Sequence, residues 1–155
     1  MDTTPKPLKV FVSYSHKDED LKSELDAHLS ALKRSGKIQV WQDRQLLAGT
    51  EWDAEIVAEL EAADIVLLLL SASFLASRYI WEVEIAKAIE RQKAGLTRVV
   101  PIFLKPCDIA DLPFKGFQGL PRDGKAVTTF ANQDEALMQV AKGVRDLVEA
   151  LGRRS

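Results

Sequence analysis

The chain has 155 residues, a net charge of −2 and a pI near 5.7. With 46% apolar and 28% charged residues it has the balance of one globular domain, long enough to bury a core without staples. No basic field is present to neutralise a nucleic-acid backbone. One cysteine, Cys107, and two histidines, His16 and His28, exclude an internal disulfide and argue against a Cys/His metal cage.

The N-terminal MDTTPKPLK lacks the basic-then-apolar order of a secretory signal. The longest apolar run, Ile65–Leu70, is far below the roughly 20 residues of a membrane span. The sequence therefore predicts a cytoplasmic protein with no metal, no membrane partner and no direct nucleic-acid partner. Pro5 and Pro7 mark residues 1–8 as a flexible leader, 9–152 as the domain and 153–155 as a tail.

In chain order, "LKVFVSYS" is a β-rich run. "KDEDLKSELDAHLSALKRSG" follows with Leu21, Leu25, Leu29 and Leu32 at helical period, Asp18 and Asp20 at its start and Gly36 at its end. "KIQVWQD" is a second strand, "RQLLAGTEW" a loop, and "WDAEIVAELEAA" a second helix. "DIVLLLLS" has the unbroken apolar pattern of a strand covered on both faces. "SRYIWEVEIAKAIE" is a third helix and "TRVVPIFLK" a fourth strand. A long Pro/Gly-rich loop precedes "AVTTF", read as a fifth strand, and a last helix from Asn132 or Asp134 to Gly152. Strands alternating with helices predict an α/β fold: a five-stranded parallel sheet with helices on both faces.

In such a fold, ligands bind beyond the carboxyl ends of the strands. Those ends carry Ser13-Tyr14-Ser15-His16, Trp41-Gln42-Asp43, Ser71-Ala72-Ser73 and Lys105-Pro106-Cys107. The third helix starts just past strand three with Glu84 in its first turns, so one edge collects hydroxyls, aromatics, an imidazole and two acids, a set suited to a polar ligand with a flat ring. Taken singly, the serines read as turn residues or caps, the tryptophans as core or rim aromatics, and Cys107 as a small buried residue. On a helical wheel of the third helix, Trp81, Ile85, Ala88 and Ile89 form the inward stripe. Glu84 lies at one edge of that stripe beside Ala88, and Glu82 at the opposite edge. Both also fit a plain helix-dipole acid, and spacing alone does not choose between them.

Taken together, "VFVSYSHKDED", "VWQDRQLLAGTEW", "ADIVLLLLSASFLAS", "WEVEIAKAIE" and "RVVPIFLKPCD", in this order, resemble a bacterial TIR (Toll/interleukin-1 receptor) domain of the NAD-cleaving type. The resemblance runs from about Lys9 to Leu151 and implies a flavodoxin-like fold. It also implies cleavage of the nicotinamide–ribose bond of NAD, with a third-helix glutamate as the catalytic residue. Here Trp81 precedes Glu84 by three positions, where the family's Trp usually stands four before; the wheel and the apolar run after it favour Glu84 over Glu82. The implied substrate-binding set is Ser13, Tyr14, His16, Asp43, Trp52, Ser71 and Trp81, with Asp43 ordering the loop after strand two. NAD is the substrate, no further cofactor is implied, and the partners are other TIR domains in a self-associated, active state. The biological setting implied is bacterial antiphage immunity.

The alternative is a non-catalytic TIR–TIR interaction module in signalling. A phosphoacceptor receiver shares the topology but needs an Asp where strand three ends in Ser71, and a dinucleotide-binding Rossmann domain needs glycines that "SYSHKDED" lacks.

Overall fold

Six consecutive apolar residues, Ile65–Leu70, form strand β3, and all six are buried. A strand with no wet face needs a strand on each side and a helical layer above and below. The computed structural model supplies both. It describes residues 6–42, 52–78, 80–113 and 116–152, with backbone alone for Gln42, Trp52 and Asp53. β1 (Leu8–Ser13), β2 (Ile38–Gln42), β3 and β4 (Arg98–Phe103) pair in parallel in the order β2-β1-β3-β4. Val10 stands opposite Val40 on one side and Ile65 on the other. Leu67 stands opposite Val100.

Alternation along the strands sends their side chains into two separate layers. On one face Val10, Val12, Leu67 and Leu69 meet α1 (Glu19–His28), α2 (Ser30–Arg34) and α6 (Gln133–Gly152). On the other, Phe11, Val66, Leu68 and Leu70 meet α3 (Trp52–Ala62) and α5 (Ala86–Lys93). Each large side chain moved fully out of water contributes about 1.5–3 kcal/mol, so β3 alone supplies a large share of the cohesion.

The expected first helix is divided. A 3₁₀ turn, His16–Asp18, precedes α1, and the helix breaks at Leu29 before α2. Leu29 and Leu32 stay buried across the break, so the leucine spacing was set by burial rather than by one straight axis. A short helix not expected from the sequence, α4 (Ala72–Ala76), follows β3. Asn132 caps α6 through its side-chain oxygen, which accepts from the Glu135 amide at 3.1 Å.

The fifth strand is a correction. Among the described residues the sheet has four strands, and Val127–Thr129 of "AVTTF" forms a 3₁₀ turn. Val127 is buried, so the apolar signal was real, but its backbone does not reach the sheet. The β4 edge is met instead by Leu120, whose amide donates to Pro101 O at 2.9 Å and whose carbonyl accepts from the Phe103 amide at 2.8 Å. Pro121 has no N–H to carry that pairing further. Gly119 allows the close approach: a Cβ there would lie 2.5 and 2.8 Å from the Phe103 ring and 2.9 Å from Pro101 O. Gly119→Ala is expected to cost about 1–3 kcal/mol, read as a lowered midpoint in urea unfolding with an unchanged slope.

Candidate functional site

The chain steps outward from β1 to β2 and then back across to β3, so the topological switch point lies between β1 and β3. Three polar side chains close together there. Asp18 ends the 3₁₀ turn after β1 and is buried. Its Oδ2 accepts from Ser71 Oγ at 2.5 Å, and its Oδ1 is 2.6 Å from Lys105 Nζ. Ser71 follows β3, and Lys105 follows β4 with its side chain partly in water. A carboxylate removed from water has to be paired and hydrogen-bonded, and Asp18 is both. The clasp therefore joins the ends of β1, β3 and β4.

Ser71 also starts α4: its Oγ accepts from the Phe74 amide at 3.0 Å. Beyond α4, Ile80–Ile85 is π-helical and runs directly into α5. The wider turn shifts the phase of the wheel. Ile80, Glu84, Ile85, Ala88 and Ile89 are the buried residues, and Trp81, expected on the inward stripe, is only half-buried. Trp81 Nε1 donates to Leu75 O at 2.6 Å. The two acids that spacing could not separate are separated here. Glu84 is 1% exposed, whereas Glu82 is exposed and accepts from Arg78 Nε at 2.8 Å.

The other expected site residues fall in different places. Ser13 is fully buried at the end of β1, and its Oγ has no hydrogen-bond partner among the described residues. Tyr14 is buried in the α1/α6 layer, the opposite side of the sheet from α5. His16 is exposed and meets the Tyr14 ring edge-on with centroids 6.5 Å apart, while Lys22 Nζ lies 5.5 Å from the same ring centre. Asp43 and the Trp52 side chain lie outside the described residues.

From the sequence Asp18 reads only as a helix start; its pairing with Lys105 at the end of β4 comes from the β1 loop and not from the end of β3. Cys107, half-buried in the loop after β4, has its thiol pushed up by burial and by the neighbouring Asp108. That is the opposite of an activated nucleophile. Among the described residues no group of three His, Cys, Asp or Glu side chains could hold a metal ion, and no helix is long and apolar enough to cross a membrane.

These features define a flavodoxin-like α/β domain whose polar groups gather at the carboxyl edge of a parallel sheet. A family model described as the TIR domain matches residues 10–140, and the chain belongs to that family. It is 46% identical over 144 residues to the uncharacterized protein y4lF of Sinorhizobium fredii, covering 93% of this chain and 44% of the relative, so it spans less than half that protein's length. Among solved structures, the TIR domains of the activated Roq1 resistosome, which recognises the effector XopQ, align with a TM-score of 0.62 at 18% identity, over 88% of this chain and 99% of theirs. The TIR domain of the Toll-related receptor TRR-2 of Hydra magnipapillata aligns at 0.56 and 14% identity, over 90% and 97%. At these identities the structural likeness concerns the fold.

Two outcomes follow from the site. Lys105→Met leaves the buried Asp18 without its counter-charge and is expected to lower unfolding stability by about 2–3 kcal/mol, less than for a fully buried pair because Lys105 is partly in water. Asp18→Asn combined with Lys105→Met should recover most of that loss in the same urea titration. For Cys107, a raised thiol pKa means less thiolate at neutral pH than in the unfolded chain. Iodoacetamide should therefore alkylate it more slowly in native buffer than in urea, with the native rate still rising above the pH where the unfolded rate levels off.

Proposed function

We propose that this TIR domain is an NAD glycohydrolase with Glu84 as its catalytic residue. The observation that carries the reading is the burial of Glu84, 1% exposed on the helix following the β3 end, while Glu82 two residues away is in water. A surface acid serving only the helix dipole has no need to be buried.

Nicotinamide departs from NAD as a neutral base, so its leaving needs no proton. The ribose left behind develops oxocarbenium character, as in other glycoside cleavages. A carboxylate held in a low-dielectric layer stabilises that positive charge more strongly than one in water. Glu84 supplies it, and its second oxygen can accept from a ribose hydroxyl. Water attacking the ribose gives ADP-ribose, and an adenine nitrogen attacking it gives a cyclic isomer. His16 supplies an exposed polar group after β1, edge-on to the buried Tyr14 ring, while the Ser71 hydroxyl is engaged by Asp18 and the Phe74 amide and holds the same sheet edge together.

With Glu84 closed to solvent in the single chain, substrate reaches it only after a rearrangement at the strand ends. Self-association with other TIR domains would supply that rearrangement, which makes catalysis and assembly one linked equilibrium. The reading places the protein in the cytoplasm as a bacterial immune effector that depletes NAD. A non-catalytic TIR–TIR interaction module in signalling is the second reading.

The test is nicotinamide release from NAD, followed by chromatography, with the chain at high concentration in a crowding agent. Wild type and Glu82→Gln are expected to release nicotinamide, and Glu84→Gln to lose about 10²–10³-fold in rate. Equal rates for Glu84→Gln and wild type would remove Glu84 from the chemistry. No release from concentrated wild type would favour the interaction module.

A further inference from the structure

The segment that carries Glu84 is π-helical over six residues before it runs into α5, and the helix before it, α4, has only five. Pieces this short lean on outside contacts for their geometry, and a continuous set of polar contacts reaches them. It begins at Lys105 Nζ, 2.6 Å from Asp18 Oδ1, and continues from Asp18 Oδ2 to Ser71 Oγ at 2.5 Å. Ser71 Oγ accepts from the Phe74 amide at 3.0 Å, while Ser71 O accepts from the Leu75 amide at 3.0 Å. Leu75 O then accepts from Trp81 Nε1 at 2.6 Å, inside the π-helical stretch and three residues before Glu84. Ser77 secures the same turn, with its Oγ 3.3 Å from the Ile80 amide and its carbonyl 3.2 Å from the Trp81 amide.

We infer that Asp18, Ser71 and Trp81 are positioning residues, which fix the π-helical stretch and so the placement of the Glu84 carboxylate. The inference rests on the proposed role of Glu84 for its catalytic consequence and on the contacts alone for its structural one. Ser71 is suited to the task because its single hydroxyl donates to Asp18 and accepts from Phe74, which leaves it one orientation. Trp81 acts through its indole N–H as a tie to α4, a role distinct from the substrate contact that the family resemblance implies. Because Asp18 stands on the β1 loop and Lys105 at the end of β4, a ligand pressing on either loop would bear on Glu84 through bonds already in place.

Hydrogen exchange on the intact chain decides it, comparing wild type with Ser71→Ala, Ser71→Thr and Trp81→Phe. Trp81→Phe keeps a ring and removes only the donor. Ser71→Ala and Trp81→Phe should each speed exchange across residues 80–85 by about fivefold to tenfold, with α6 within about twofold of wild type. Ser71→Thr, which keeps the hydroxyl, should leave exchange at 80–85 slow. In parallel, Trp81→Phe should lower kcat for nicotinamide release about tenfold with KM changed less than about threefold. Unchanged exchange at 80–85, or equal acceleration in α6, would overturn the inference. A wild type that releases no nicotinamide counts against the glycohydrolase reading, and the exchange pattern still decides the positioning.

Discussion

Strand β3 has no face in water, and the rest of the fold answers that constraint. Its six residues need backbone partners on both sides, which β1 and β4 provide in parallel register. Parallel strands cannot be joined by tight turns, so each connection crosses over through a helix. The helices fall on both faces, α1, α2 and α6 on one and α3 and α5 on the other. Two cores separated by one sheet follow, and so does a carboxyl edge where the loops after β1, β3 and β4 meet.

That edge has its own electrostatic demand. The loops leave β1 and β3 on either side of the switch point, where Ser13, Asp18 and Ser71 are all buried. Asp18 is buried there and is stable only because Ser71 and Lys105 approach it from two other strands. The cluster therefore specifies which loops meet, in addition to whatever it adds to stability. Ser71 links it to α4, and α4 to the turn carrying Glu84, so packing of the sheet and placement of the acid are not independent.

The burial of Glu84 joins structure to the proposed chemistry. Glu84 is closed off from water on the same helix face as Ile85 and Ala88, which pack against the sheet. In the proposed reaction, such low-dielectric surroundings would strengthen the attraction of a carboxylate for a cationic ribose. An acid closed off in the single chain is also a natural point of control, because whatever opens the edge exposes the charge. Cys107, by contrast, sits near the edge without taking part in that logic, since burial and Asp108 hold it as a thiol.

The alternation of apolar strands with helical periods determined the fold class, because burial on a strand or helix leaves its period in the residue order. β1 to β4 lie where that pattern put them. "AVTTF" misled because burial of Val127 gives the same local signal whether its backbone is a strand or a turn. What decided was non-local: Leu120 takes the β4 edge, with Gly119 fitting against Phe103. The strand-end serines and Glu84 were legible as candidates because topology alone places them at one edge. Helical spacing could not choose between Glu82 and Glu84, since an α-helical wheel gives both an edge position. The π-helical phase buried one and exposed the other. Asp18 lies 53 residues before Ser71, and Lys105 lies further on beyond β4, separations that no local pattern records. The sequence alone determined the fold class, the four paired strands and which edge is polar. Only the tertiary structure decided which charges pair and which acid is buried, because those depend on contacts between strands distant along the chain.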